Sequence, residues 1–190
     1  MNFRYIFLFA CLGLSTTVAA KDVVWYSGGH VTYSTQKNYG TVVAKALDMF
    51  SSDMKAVTGK SAHKGTGKIE IYQLDMLTNK EFKALSAYKL PIEKIIAKPD
   101  AFWMGTRRGK VVIVGSNGRG TAYGILELSR KAGVSPWIDW GDVTPLRKNY
   151  LALDDKFEIL QRPSVDYRGV FINDEDWSSR VWDKQLVDRH

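Results

Sequence analysis

The run Val111-Val112-Ile113-Val114-Gly115-Ser116-Asn117-Gly118-Arg119-Gly120 constrains the fold of this chain more than any other stretch. A short apolar run bounded by turn residues reads as a buried strand. The segment after it, Thr121 to Lys131, predicts a helix with Ala122, Ile125, Leu126 and Leu128 on its apolar face. A strand that feeds a helix in this way implies a sheet with helices packed on it. The glycines also suggest a dinucleotide site, where a pyrophosphate would sit on the helix N-terminus. Their spacing argues against it, since glycines at 115, 118, 120 and 124 do not form G-x-G-x-x-G. Glycines that let a helix lie close on a sheet are the expected account.

The flanking elements fit the same mixed α/β class. Asp22 to Tyr26 and Val31 to Ser34 read as short strands around the turn Gly28-Gly29. Val42, Val43, Ala46, Leu47, Phe50, Met54 and Val57 recur at three- and four-residue spacing, a helix that Gly59 is placed to stop. Lys68 to Leu74 alternates as a half-buried strand does. Asn79 to Lys98 reads as two helical pieces divided by Pro91. Ala101 to Thr106 and Lys110 to Gly115 predict a hairpin closed by Arg107 to Gly109, which makes the basic cluster there a solvated turn. Asn149 to Leu153 reads as an edge strand. Gln161 to Ser164 reads as a linker, with Pro163 holding Arg162 extended. No internal repeat or low-complexity tract interrupts the series.

At the N-terminus, Met1 to Arg4 is a short positive lead, Tyr5 to Leu14 is apolar, and Ser15 to Ala20 is small and ends Val-Ala-Ala. This is the pattern of a secretory signal cut after Ala20, too short to span a bilayer. A secreted or periplasmic bacterial protein is expected, with no membrane attachment after cleavage. Cys11 is the only cysteine and leaves with the signal, so the mature chain has no thiolate nucleophile, disulfide or cysteine-based metal site. A domain of about 170 residues buries enough surface to fold without such staples. The formal charge of +7, or +6 after loss of Arg4, is scattered, and no nucleic-acid motif accompanies it. His30, His63 and His190 are isolated in sequence without metal-ligand spacing. No metal and no cofactor are expected.

Trp137, Trp140, Pro136 and Pro145 enrich the stretch from Gly133 to Pro145. Their rings suit either packing under a domain junction or a platform for sugar rings. Further on, Val170-Phe171-Ile172 runs directly into Asn173-Asp174-Glu175-Asp176-Trp177. A strand that spills acids from its C-terminal end is how a (β/α)₈ barrel builds a corner of its active site. A solvated acidic loop that caps a following helix is the competing account. Only 14 residues follow Asp176, far short of a barrel of about 250 residues.

Two stretches carry a family resemblance. Gly120-Thr121-Ala122-Tyr123-Gly124-Ile125 with Gly133-Val134-Ser135-Pro136-Trp137, and Pro163 to Trp177, resemble the N-terminal part of glycoside hydrolase family 115, the xylan α-1,2-glucuronidases. The Phe-Ile-Asn-Asp-Glu-Asp-Trp run is the specific part, and the likeness covers about Val111 to Trp182. It implies a signal (1–20), an N-terminal α/β domain (21–160), and a linker with the first strand of a truncated barrel (161–190). It also implies removal of (4-O-methyl-)glucuronic acid from xylan by inversion, without a metal, and leaves an oligomer open for the full-length enzyme. By this resemblance Asn173, Asp174, Glu175 and Asp176 line or bind in the sugar pocket. The catalytic acid and base would lie on later strands, so no catalytic residue is assigned and this chain alone is expected to be inactive. The alternatives are a carbohydrate-binding or scaffold module, with Trp103, Trp137 and Trp140 exposed in a row, and a piece of a related hexosaminidase-like enzyme.

Overall fold

A computed structural model describes residues 22–138, 141 and 143–169. The proposed signal, Trp140, His190, the expected barrel strand and the Asn173–Asp176 run all lie outside these residues. Eight strands are described: β1 (Val23–Tyr26), β2 (Thr32–Thr35), β3 (His63–Lys64), β4 (Ile69–Gln73), β5 (Phe102–Arg107), β6 (Lys110–Gly115), β7 (Leu151–Leu153) and β8 (Glu158–Gln161). The helices are α1 (Thr41–Thr58), α2 (Asn79–Ser86), α3 (Ile92–Ile96) and α4 (Gly118–Ala132). Six strands form one sheet in the order β3-β2-β4-β6-β5-β8. The β2 strand is parallel to β3 and β4, and β4 to β6, while β5 runs antiparallel to both β6 and β8. The expected mixed sheet with packed helices is what the chain forms.

The apolar run of β6 serves two cores at once. Val111 and Ile113 join the cluster that contains Val43, Phe50 and Met54 of α1 with Ile125 and Leu128 of α4. Val112 and Val114 point the other way, into a smaller cluster with Leu85 of α2, Ile95 of α3 and Trp103. Alternation along a strand sends neighbours to opposite faces, so a continuous apolar run is what a strand covered on both sides requires. The molecule is therefore layered: α1 and α4, then the sheet, then α2 and α3.

Local signals explain most boundaries. Gly59 adopts φ 88° and donates its N–H to the carbonyl of Lys55, which ends α1. Thr78 accepts from the N–H of Glu81 while the Glu81 carboxylate accepts from the N–H of Thr78, a capping box that starts α2. Arg108 and Gly109 both take positive φ, 52° and 71°, the geometry that closes a two-residue hairpin between β5 and β6.

Three features differ from the sequence expectation. Helix α4 starts at Gly118 rather than Thr121, because the Asn117 side chain accepts from the N–H of Gly120 and caps it early. The strands beside Gly28 and Gly29 part company: β1 pairs antiparallel with β7 in a separate two-stranded ribbon, and β2 enters the main sheet. Strand β8, where no strand was expected, lies along β5 with Phe102 opposite Gln161 and Gly105 opposite Glu158.

Candidate functional site

The run Asn173–Asp176 is not among the described residues, but the segment that leads to it, 162–169, is. Its anchor is Asp100, which sits between α3 and β5. Asp100 has φ 61°, a left-handed conformation that aspartate tolerates better than most residues. Its side chain is only 3% exposed. The chain is held there because the N–H of Ser116 donates to the carbonyl of Ala101 at 2.9 Å, joining the end of β6 to the start of β5.

Three donors converge on this buried carboxylate. Asn117 Nδ2 and Arg119 Nε, from the start of α4, reach one oxygen at 2.9 and 3.0 Å. Arg168 Nη2 reaches the other at 2.9 Å from 68 residues away in sequence. Burial alone would push the Asp100 carboxyl up. The hydrogen bonds from Asn117 and Arg119 and the charges of Arg119 and Arg168 outweigh it, and hold the group below its ordinary value.

Arg168 also lies over the Tyr123 ring of α4, its guanidinium carbon 5.6 Å from the centroid. Two residues earlier, Asp166 pairs with Lys98. The side chains between them face outward: Val165 is exposed and Tyr167 is 96% exposed. The segment bends at 164–166, where Arg168 Nη1 also donates to the Val165 carbonyl at 3.2 Å, and it is tied down at Asp166 and Arg168.

A cavity of about 440 Å³ opens beside this seam, lined among others by Met49, Phe102, Tyr123, Glu127, Ser129 and Arg130. The Ser129 hydroxyl is buried there without a hydrogen-bond partner among the described residues. The Glu127 carboxylate is engaged by Arg130 at 2.6 and 2.5 Å. On the opposite face of the sheet, Glu70 accepts from Tyr72 at 2.9 Å and Tyr88 at 2.7 Å and pairs with Lys110. Burial would raise the Glu70 pKa, but Lys110 and the two phenols hold it below its ordinary value. Burial, reinforced by the hydrogen bonds to Glu70, pushes both phenols up.

These acids are built for structure. A general acid in a glycosidase needs a carboxyl whose pKa is raised, whereas Glu70, Glu81 and Asp100 are all shifted down. His30 and His63, isolated in sequence, meet with ring centroids 4.9 Å apart, and His30 Nδ1 lies 3.2 Å from the Ser61 carbonyl. Parallel pairing of β2 with β3 brings them together, a relation no sequence spacing reveals. Among the described residues no group of three or more metal-ligating side chains is assembled. Trp103 is buried, 1% exposed, under Arg107, while Trp137 is 65% exposed. Trp103, in the core, takes no part in an exposed row of rings, whereas Trp137 is exposed and Trp140 lies outside the described residues.

No protein-family model and no curated protein matches the chain. Among solved structures, a family GH115 4-O-methyl-alpha-glucuronidase with specificity for decorated arabinogalactans shares 42% identity at a TM-score of 0.70. The match covers 81% of this chain and 20% of that one. This chain matches the N-terminal region of a family GH115 enzyme. It spans about a fifth of that enzyme's length. A GH20 beta-N-acetylhexosaminidase from Streptomyces coelicolor shares 12% identity at a TM-score of 0.44, over 76% of this chain and 25% of that one. A GH138 enzyme targeting pectin rhamnogalacturonan II shares 17% at 0.38, over 70% and 12%. These two likenesses are distant and support no functional argument.

Proposed function

We propose that this chain is the N-terminal portion of an exported glycoside hydrolase that removes glucuronic acid or its 4-O-methyl ether from a plant polysaccharide. The observation that carries this reading is the 42% identity with the family GH115 glucuronidase across 81% of the chain. In this reading the α/β domain is a scaffold, and Asn173, Asp174, Glu175 and Asp176 contribute to the sugar pocket of the region that follows it.

Inverting hydrolysis needs one carboxyl group to protonate the leaving oxygen and a second, roughly 6.5–9.5 Å away, to activate water. The described carboxylates Glu70, Asp100 and Glu127 are each occupied by cations or phenols, which supports an acid and base located elsewhere. In this reading the 190-residue chain alone hydrolyses nothing. Glucuronoxylan and a glucuronate-decorated arabinogalactan are the two substrates to offer it and the corresponding longer protein. Release of 4-O-methylglucuronate by the longer protein is the expected result, and which polymer yields it decides the substrate. Release by the 190-residue chain would overturn the scaffold reading.

Export is part of the same proposal and rests on the N-terminal sequence pattern. Expression in a bacterial host with recovery from the periplasm, followed by intact-mass measurement, should show a chain that begins at Lys21. A full-length product retained in the cytoplasm would refute it.

A further inference from the structure

We infer that Asp100 is a positioning residue: it is the socket of a clasp that takes Arg168 as its plug and fixes the direction in which the chain leaves the α/β domain toward Asn173–Asp176.

One side of the socket is built without the plug. Asn117 and Arg119 satisfy one carboxylate oxygen from inside the domain, and the left-handed backbone at Asp100 turns the side chain toward them. The second oxygen is left for a donor from outside, and Arg168 supplies it. A carboxylate that is 3% exposed cannot cheaply leave that oxygen without a charged donor. Arg168 is itself 34% exposed, and it gains a second hold on the Tyr123 ring. Asp100 lies just before β5 and Tyr123 on α4, whose first turn is fixed against the entry to β5. Gly120 lies so near the Ala101 carbonyl that no side chain would fit between them.

The consequence is geometric. Arg168 is five residues before Asn173, and Asp166 is held as well, by Lys98. A segment pinned at Asp166 and at Arg168 has its path set as far as Gly169, the last residue described before the run. A catalytic constellation needs that kind of support, because small misplacements are costly. The benefit to Asn173–Asp176 rests on the functional reading above, whereas the clasp itself does not.

The test uses backbone ¹⁵N order parameters of the 190-residue chain. Residues 164–168 should behave as rigid backbone, near 0.85, in the parent protein. In Asp100→Asn, which keeps the left-handed preference but removes the charge, they should fall below about 0.6. Arg168→Ala should do the same from the other side and, since it leaves Asp100 with its Asn117 and Arg119 partners, remains informative if Asp100→Asn fails to fold. Amides of β4, β5 and β6 should be unchanged in both. Unchanged order parameters at 164–168 in Arg168→Ala would overturn the clasp, as would mobility of that segment in the parent. A parallel titration of the parent with glucuronic acid, followed at Asn173–Asp176, tests the sugar-pocket reading separately, so either can fail alone.

Discussion

A Cβ added to Gly120 would stand 2.3 Å from the carbonyl oxygen of Ala101. The first turn of α4 thus rests directly on the backbone that enters β5. Gly115 and Gly124 are similar, with a Cβ meeting the Thr121 backbone nitrogen at 2.1 Å and Ile113 Cγ2 at 2.5 Å. Three of the four glycines that mimic a nucleotide fingerprint are therefore explained by packing. Gly118 is the exception, since its nearest neighbours would be 3.7 Å away. Gly120→Ala should cost about 1–3 kcal/mol through overpacking. Gly118→Ala should be neutral or stabilise by up to about 1 kcal/mol, the helix penalty of glycine. Urea midpoints of the two variants check the contrast, and equal midpoints would sink it.

Gly105 plays the same part for the outer strand. Its Cβ would stand 2.6 Å from the Phe157 carbonyl, and the N–H of Thr106 donates to that carbonyl at 2.8 Å. Gly105→Val should push β8 off the sheet edge. The expected signature is faster hydrogen exchange at the β5 amides that β8 protects, with little change at β4, together with a loss of about 1–3 kcal/mol. Protection that persists along β5 would show that β8 tolerates the side chain.

These two glycines also mark where reading the sequence worked and where it stopped. Periodicity and caps are local, so α1, β4, the Pro91 division and the β5–β6 hairpin follow directly from spacing and turn chemistry. Strand β8 is short, half-buried at Ile159 and Leu160, and gains its hydrogen bonds only from β5, about fifty residues earlier. Gly105 in the middle of a strand was the available clue to a close backbone approach. The Arg168 pairing was not legible at all, because its partner, Asp100, is 68 residues distant. Such a pairing is set by tertiary packing and leaves no periodic trace. The Asn173–Asp176 run was read through resemblance and lies outside the described residues.

Asp100, which is buried, and Glu70, which is partly buried, fix the sign of the acid response. Asp100 and Glu70 have folded pKa values below their ordinary ones, 3.8 and 4.5. Each therefore binds a proton more readily in the unfolded chain, and its contribution to stability is complete above the ordinary value. That contribution is lost as pH falls through the folded one. The thermal midpoint should accordingly be flat with respect to these groups near neutrality and should fall below about pH 4.5. Glu70→Gln should lower the neutral-pH midpoint and flatten part of the acid limb. A variant that retains the full acid slope would exclude Glu70 as its source.

The final prediction separates binding from chemistry in the proposed sugar pocket. If Asp174 and Glu175 hold hydroxyl groups of the sugar while the acid and base lie elsewhere, amide replacements preserve shape and one hydrogen-bonding oxygen. In the longer enzyme, Asp174→Asn and Glu175→Gln should each lower kcat/KM by roughly 10- to 100-fold, the worth of one hydrogen bond to a charged group. Most of that loss should appear in KM, because an interaction made equally in ground and transition states leaves kcat alone. The pH profile of kcat should keep both limbs, since neither titrating group has been touched. Loss of one limb, or a fall of several orders of magnitude in kcat at unchanged KM, would move that carboxylate from the binding set to the catalytic pair.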